Sequence, residues 1–168
     1  IVCSRSFSRR ITDYGELSQA LAEFCSRAAE KLRRQQSVTG CITIFIRTSP
    51  FNTQEPHYQR TASLKLASAT QDNRAIIATA NRMLKAIFKA GYGYQKCGIQ
   101  LSQLQPVSSP SQIELFGFAD NPLLTENRPL MQAVDQINRR FPKAISVAAT
   151  GFDKSWKSKS ERVSPGYT

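Results

Sequence analysis

The spacing of apolar residues in this chain switches between two periods, and the order of the switches is what most limits the fold. Residues 1–7, Ile-Val-Cys-Ser-Arg-Ser-Phe, predict a short strand, followed by a basic loop with Arg9 and Arg10. Tyr14, Leu17, Leu21, Phe24, Ala28 and Leu32 then recur every three or four residues, one apolar stripe of a helix. Asp13 precedes that stripe and Glu16 follows three residues on, a capping-box pattern. Lys31, Arg33 and Arg34 crowd the last turns, where the helix dipole favours cations. From Cys41 to Thr48 the period becomes two: Ile42, Ile44 and Ile46 point one way, Thr43, Phe45 and Arg47 the other. Ser49-Pro50 ends this strand and residues 51–59 form a polar loop. Residues 60–68 alternate again, Ala62, Leu64 and Leu66 against Thr61, Ser63 and Lys65.

Asp72 caps a second predicted helix with Ile76, Ala80, Leu84, Ile87 and Phe88 on its stripe, and Gly91 sits where a C-terminal cap belongs. A last strand is expected over 94–104, with Cys97, Ile99 and Leu101 facing in and Lys96, Gly98, Gln100 and Ser102 facing out. The order β-α-β-β-α-β predicts an α+β, split-βαβ, ferredoxin-like domain: a four-stranded antiparallel sheet with two helices on one face. The helical stripes need the apolar side of the sheet, so its other side stays open.

The open side collects Thr43, Phe45, Arg47, Thr61, Ser63, Lys65, Lys96, Gly98, Gln100 and Ser102. These are hydroxyls, amides and cations with no carboxylate, groups that hold phosphate oxygens without reading sequence. An ordinary solvated face mixes both signs of charge. Composition agrees: the net charge is +11, which attracts polyanions, with nucleic acid the default partner and an anionic membrane surface the competitor. Residues 1–106 carry 15 Lys and Arg against six Asp and Glu, whereas 107–168 carry eight against six. The polyanion-binding role therefore belongs to the first part.

Residues 105–112, Gln-Pro-Val-Ser-Ser-Pro-Ser-Gln, read as a Pro/Ser linker. The expected organisation is a nucleic-acid-binding domain over 1–106, a linker over 107–124 and a C-terminal extension over 125–168. In the extension, Pro129 suits the first turn of a third helix with Leu130, Val134, Ile137 and Phe141 in register. Ala144 to Thr150 is expected as a short strand, and 151–168 as a polar, basic, extended tail. Cysteines 3, 25, 41 and 97 lie among apolar residues without C-x-x-C spacing and read as buried thiols of a reducing cytosol; no zinc site is indicated. No apolar run approaches the length of a membrane span.

Several segments together resemble the C-terminal part of UmuC-type Y-family translesion DNA polymerases. Ser4-Arg5-Ser6-Phe7 resembles the strand that opens the little-finger domain of that family, and Arg27-Ala28-Ala29-Glu30-Lys31-Leu32-Arg33 is similar to its first helix. Thr48-Ser49-Pro50-Phe51 and Thr70-Gln71-Asp72 resemble its turns. Trp156 and Ser164-Pro165-Gly166-Tyr167-Thr168 resemble its C-terminal signature. That signature would continue past Thr168, and the chain opens on Ile rather than Met, so a fragment is expected. The resemblance implies a little finger that lays its open sheet along the template–primer duplex in SOS DNA repair, in the cytoplasm and at the nucleoid. Ser4, Arg5, Ser6, Arg9, Arg10, Thr43, Arg47, Thr61, Ser63, Lys65, Lys96 and Gln100 are the expected DNA contacts. It also implies UmuD-type subunits and RecA as partners, and a separate catalytic palm, with its Mg2+ ions, that this stretch lacks.

The acids agree with a non-catalytic segment. Two-metal phosphoryl transfer needs clustered carboxylates, and the twelve acids include no Asp-x-Asp and no adjacent Asp-Glu pair. His57, the sole histidine, lies in a polar loop beside no nucleophile motif. No cofactor is expected in these residues. Gln112-Ile113-Glu114-Leu115-Phe116, just past the linker, resembles the pentapeptide with which bacterial polymerases hook the sliding clamp; the alternative is a short strand packing its own apolar residues. Two other function classes stay open. An RNA-binding ferredoxin-like module would want paired aromatics on the middle strands, where Phe45 stands alone. A pure protein-interaction domain would work through the extension.

Overall fold

A computed structural model describes residues 1–52, 55–107, 127–152, 154 and 156–157. The strands are β1 (Val2–Ile11), β2 (Ser37–Thr48), β3 (Gln59–Thr70) and β4 (Tyr94–Pro106); the helices are α1 (Tyr14–Arg34), α2 (Asn73–Ile87) and α3 (Arg128–Arg140). The sheet order is β1-β4-β2-β3 and each neighbouring pair is antiparallel. It follows that β1 and β2 run parallel with β4 between them, and β3 and β4 run parallel with β2 between them. The split βαβ unit expected from the element order is thus present twice, interlocked.

The two periods do what they predict. On one side of the sheet Ile42, Ile44, Ile46, Cys97 and Ile99 are fully buried against Leu17, Leu21, Cys25 and Ala28 of α1 and Ile76, Ala80 and Leu84 of α2. Burial of this apolar surface is the main stabilising contribution, at about 25 cal/mol per Å² removed from water. Asp13 caps α1 by accepting from the Glu16 N–H at 2.8 Å, while the Glu16 carboxylate pairs with Arg9. Asp72 caps α2, accepting from the Arg74 N–H at 2.8 Å and its guanidinium at 2.7 Å. Burial raises the Asp72 carboxyl, but the hydrogen bonds from Arg74 and the Asn127 N–H, together with the Arg74 charge, outweigh it and hold the group below its ordinary range.

Several expectations need correction. Arg9 and Arg10 belong to β1, which runs on to Ile11 past a register shift, rather than to a loop. Helix α2 ends at Ile87 with Phe88 as its cap, so Gly91 lies in the turn beyond it. Strand β4 continues through Gln105 and Pro106, which were read as linker. Ala144–Thr150 is no strand. The Asn138 side chain takes the backbone N–H and carbonyl of Ile145 at 2.8 Å each, closing a turn where a ladder would be needed, and Ala148–Thr150 coils into a 3-10 helix.

Helix α3 forms as expected, with Pro129 in its first turn, but its apolar stripe is not what docks it. Its Leu130, Ile137 and Phe141 are exposed, and Met131 is its buried residue. The helix docks instead by the face that carries Met131 and Asp135. Arg33 of α1, buried at its side chain, grips Asp135 with two nitrogens at 2.6 and 2.7 Å and also donates to Gln71 O and Asn73 Oδ1. A charged fork outranks apolar periodicity here because a buried guanidinium left unpaired is strongly destabilising.

Farther on, Trp156 is 1% exposed and stands edge-on to Phe7 and Phe24 at 5.9 and 5.7 Å. Beside it Glu23 faces Lys154, Lys157 and Arg27 at 2.9, 2.8 and 3.0 Å. Burial raises the Glu23 carboxyl, but its two lysine partners outweigh that and lower it overall. Residues expected as an extended tail therefore clasp the outer side of α1. Cys3, Cys25 and Cys97 are buried free thiols, as expected, and Cys41 is half-buried. Burial pushes the Cys25 and Cys97 thiols up, which keeps them protonated. Among the described residues no helix is long and apolar enough to cross a membrane.

Candidate nucleic-acid interface

Residues directly paired across an antiparallel ladder point to the same side, so the register lays out the open face row by row. One row runs Val2, Gln100, Thr43, Ser63; the next Ser4, Gly98, Phe45, Thr61; the next Ser6, Lys96, Arg47, Gln59. At the far end Ser102, Cys41 and Lys65 complete it. No Asp or Glu occupies any of these positions. Arg47 and Lys96 are direct cross-strand neighbours of like charge. Such a pair costs folding stability, so its place here points to a use for the charge. Among the described residues neither these two nor Lys65 has a carboxylate partner.

The middle of the face is flat. The Phe45 ring lies over Gly98, where a Cβ would come within 2.6 Å of the ring and 2.4 Å of the Ser4 Cβ, so only glycine permits this approach. Thr43 Oγ1 and Ser63 Oγ share a hydrogen bond of 2.8 Å, tying β2 to β3 on the outer side. The arrangement offers hydroxyl, amide and cationic donors on a rigid surface.

Of the twelve residues expected to touch DNA, the sheet brings together nine: Ser4, Ser6, Thr43, Arg47, Thr61, Ser63, Lys65, Lys96 and Gln100. The other three are set apart, one by the pleat and two by carboxylate partners. Arg5 pairs with Cys97, whose side chain is in the core, so it lies on the helical side of the pleat and reaches solvent because β1 is an edge strand. Arg9 is paired with Glu16 and Arg10 with Glu55. Gln59 was missed: it completes the row of Arg47 and Lys96, one residue ahead of where the strand was expected to start. The clamp-like segment Gln112, Ile113, Glu114, Leu115 and Phe116 lies outside the described residues. Among those described, no three His, Cys, Asp or Glu side chains come together to hold a metal ion.

Two family models match the chain: the impB/mucB/samB family C-terminal domain over residues 1–115, and a domain of unknown function, DUF4113, over residues 128–168. Protein UmuC of Salmonella typhimurium is 39% identical over 169 residues, spanning 100% of this chain and 39% of that protein. Protein SamB of Salmonella typhimurium is 42% identical over 168 residues, again 100% of this chain and 39% of that protein. DNA polymerase IV of Desulfatibacillum aliphaticivorans is 27% identical over 137 residues, 81% of this chain and 32% of that protein. A solved complex of the beta-clamp processivity factor and the little finger domain of PolIV aligns with a TM-score of 0.46 at 16% identity, over 63% of this chain and 89% of that one. The chain thus spans well under half the length of these curated relatives, and on the family match over most of its residues it belongs to the impB/mucB/samB family, of which it carries the C-terminal domain.

Proposed function

We propose that the open face of the sheet holds duplex DNA by its backbone, as the non-catalytic, DNA-gripping part of a translesion polymerase. The observation that carries this is the face itself: Arg47, Lys65 and Lys96 among hydroxyls and amides, with no carboxylate in any row. Such a surface attracts phosphates over its whole width, and contacts of that kind position a duplex without reading its sequence. Family membership and a relative that is a DNA polymerase support the assignment. Gln112 to Phe116 is proposed as a second contact, to the bacterial sliding clamp, on the strength of its sequence. Leu115 and Phe116 would fill a groove, at about 1.5–3 kcal/mol each before ordering costs, which leaves an affinity of roughly micromolar. Tethering would let the two weak grips reinforce each other.

One calorimetric series tests both contacts. The chain should bind a blunt duplex of arbitrary sequence, with log K falling by about 0.9 per neutralised phosphate for each decade of salt, hence a slope near −3 or steeper. It should also bind purified clamp, and replacing Leu115 and Phe116 with alanine should remove the clamp heat and spare the DNA heat. A flat salt dependence sinks the first contact; equal clamp heats for both chains sink the second.

A further inference from the structure

Where β2 and β3 leave the sheet, the backbone is tied into a fixed frame. Thr48 N donates to Tyr58 O at 2.9 Å, Tyr58 N donates back to Thr48 Oγ1 at 3.0 Å, and the Tyr58 hydroxyl donates to Ile87 O at 2.7 Å. On this frame opens a groove of about 250 Å³ lined by Arg47, Thr48, Pro50, His57, Tyr58 and Gln59. It continues the row in which Arg47 stands between Lys96 and Gln59. Among the lining residues the Arg47 guanidinium, the His57 imidazole, the Gln59 amide and the Thr48 hydroxyl can all donate, the Tyr58 hydroxyl being engaged with Ile87 O, and no carboxylate is among them. Glu55, two residues from His57, is held by Arg10. Pro50 supplies an apolar wall, which strengthens a charged contact made beside it.

We propose that this groove seats one backbone phosphate of the bound nucleic acid, with Arg47 and His57 as its donors. This rests on the DNA-holding function of the sheet and adds to it a defined phosphate position and a residue, His57, that the open face does not include. A fork-shaped guanidinium fits two phosphate oxygens at once, and an imidazole N–H supplies a third, directional donor. The sheet rows alone offer a flat surface over which a duplex slides. A groove that takes one phosphate at a time sets the phase of the backbone against the end of the face.

His57 is the sole histidine of the chain, so its ring C–H signals are unique in a proton NMR spectrum. The whole chain is titrated with a blunt duplex and, separately, with inorganic phosphate at constant pH, while duplex binding is followed in parallel by fluorescence anisotropy. The His57 signals should move with duplex in step with the anisotropy, and should move with inorganic phosphate. Arg47→Ala should cancel the phosphate-induced movement and weaken duplex binding by roughly threefold to tenfold. Lys65→Ala, at the opposite end of the face, should leave the phosphate-induced movement intact. A duplex that binds while the His57 signals stay still overturns the groove and leaves the DNA-holding function standing. So does a phosphate-induced movement that survives Arg47→Ala. A chain that fails to bind duplex at all overturns both.

Discussion

Replacing Arg47, Lys65 and Lys96 together with glutamate is expected to lower duplex affinity by on the order of 10²–10³-fold at moderate salt. Each reversal removes one attraction to a phosphate and installs a repulsion in its place. The three sites lie on three different strands and span the face from the Ser6 row to the Ser102 end, so a duplex cannot shift to avoid them. Folding should be almost unaffected. Arg47 and Lys96 repel each other across the ladder in the native chain, and two glutamates there do the same, so the local cost changes sign of charge but little in size. Anisotropy with a labelled duplex, beside a thermal melt of both chains, makes the comparison. A melt that is unchanged with affinity lost locates the DNA on this face. Unchanged affinity removes the sheet from consideration.

Trp156→Ala is expected to cost about 3–5 kcal/mol in urea denaturation. The indole is 1% exposed and packs edge-on between Phe7 of β1 and Phe24 of α1. Its carbonyl accepts from the Ser8 N–H and hydroxyl at 3.3 Å each. Removing it would leave a void between a strand and a helix that belong to the first domain. If residues past 127 were an independent appendage, the change would cost less than about 1 kcal/mol. The neighbouring Glu23 gives the same docking a pH dependence. Its carboxyl is lowered from 4.5 in the folded chain, so its contribution is present above the ordinary carboxylate range and is lost as pH falls through the lowered value. Acid should therefore weaken the clasp.

The sheet and its two packed helices were legible because both periods are strict there. Ile42, Ile44 and Ile46 alternate with Thr43, Phe45 and Arg47, and one register fixes which side each takes. The same rule separates Arg5 from Ser4 and Ser6, since adjacent strand residues face opposite ways; the resemblance covers the run whole, and the pleat divides it. The placing of α3 was not legible. Periodicity shows that Leu130, Ile137 and Phe141 share a stripe, but not that a different face, with Met131 and Asp135, carries the docking group. That information is spread over Arg33 and Asp135, which are 102 residues apart. The role of Glu23 was not legible for the same reason, its two lysine partners lying beyond residue 150.

The central claim is that the outward rows of β2, β3 and β4 are the DNA surface, and amide chemical-shift mapping of the whole chain on titration with a blunt duplex tests it most directly. The largest changes should fall at 41–47, 59–65 and 96–102, with α1 and α2 on the opposite side of the sheet nearly still. Changes confined to α1, α2 or α3, with those three strands unmoved at saturating duplex, would contradict it.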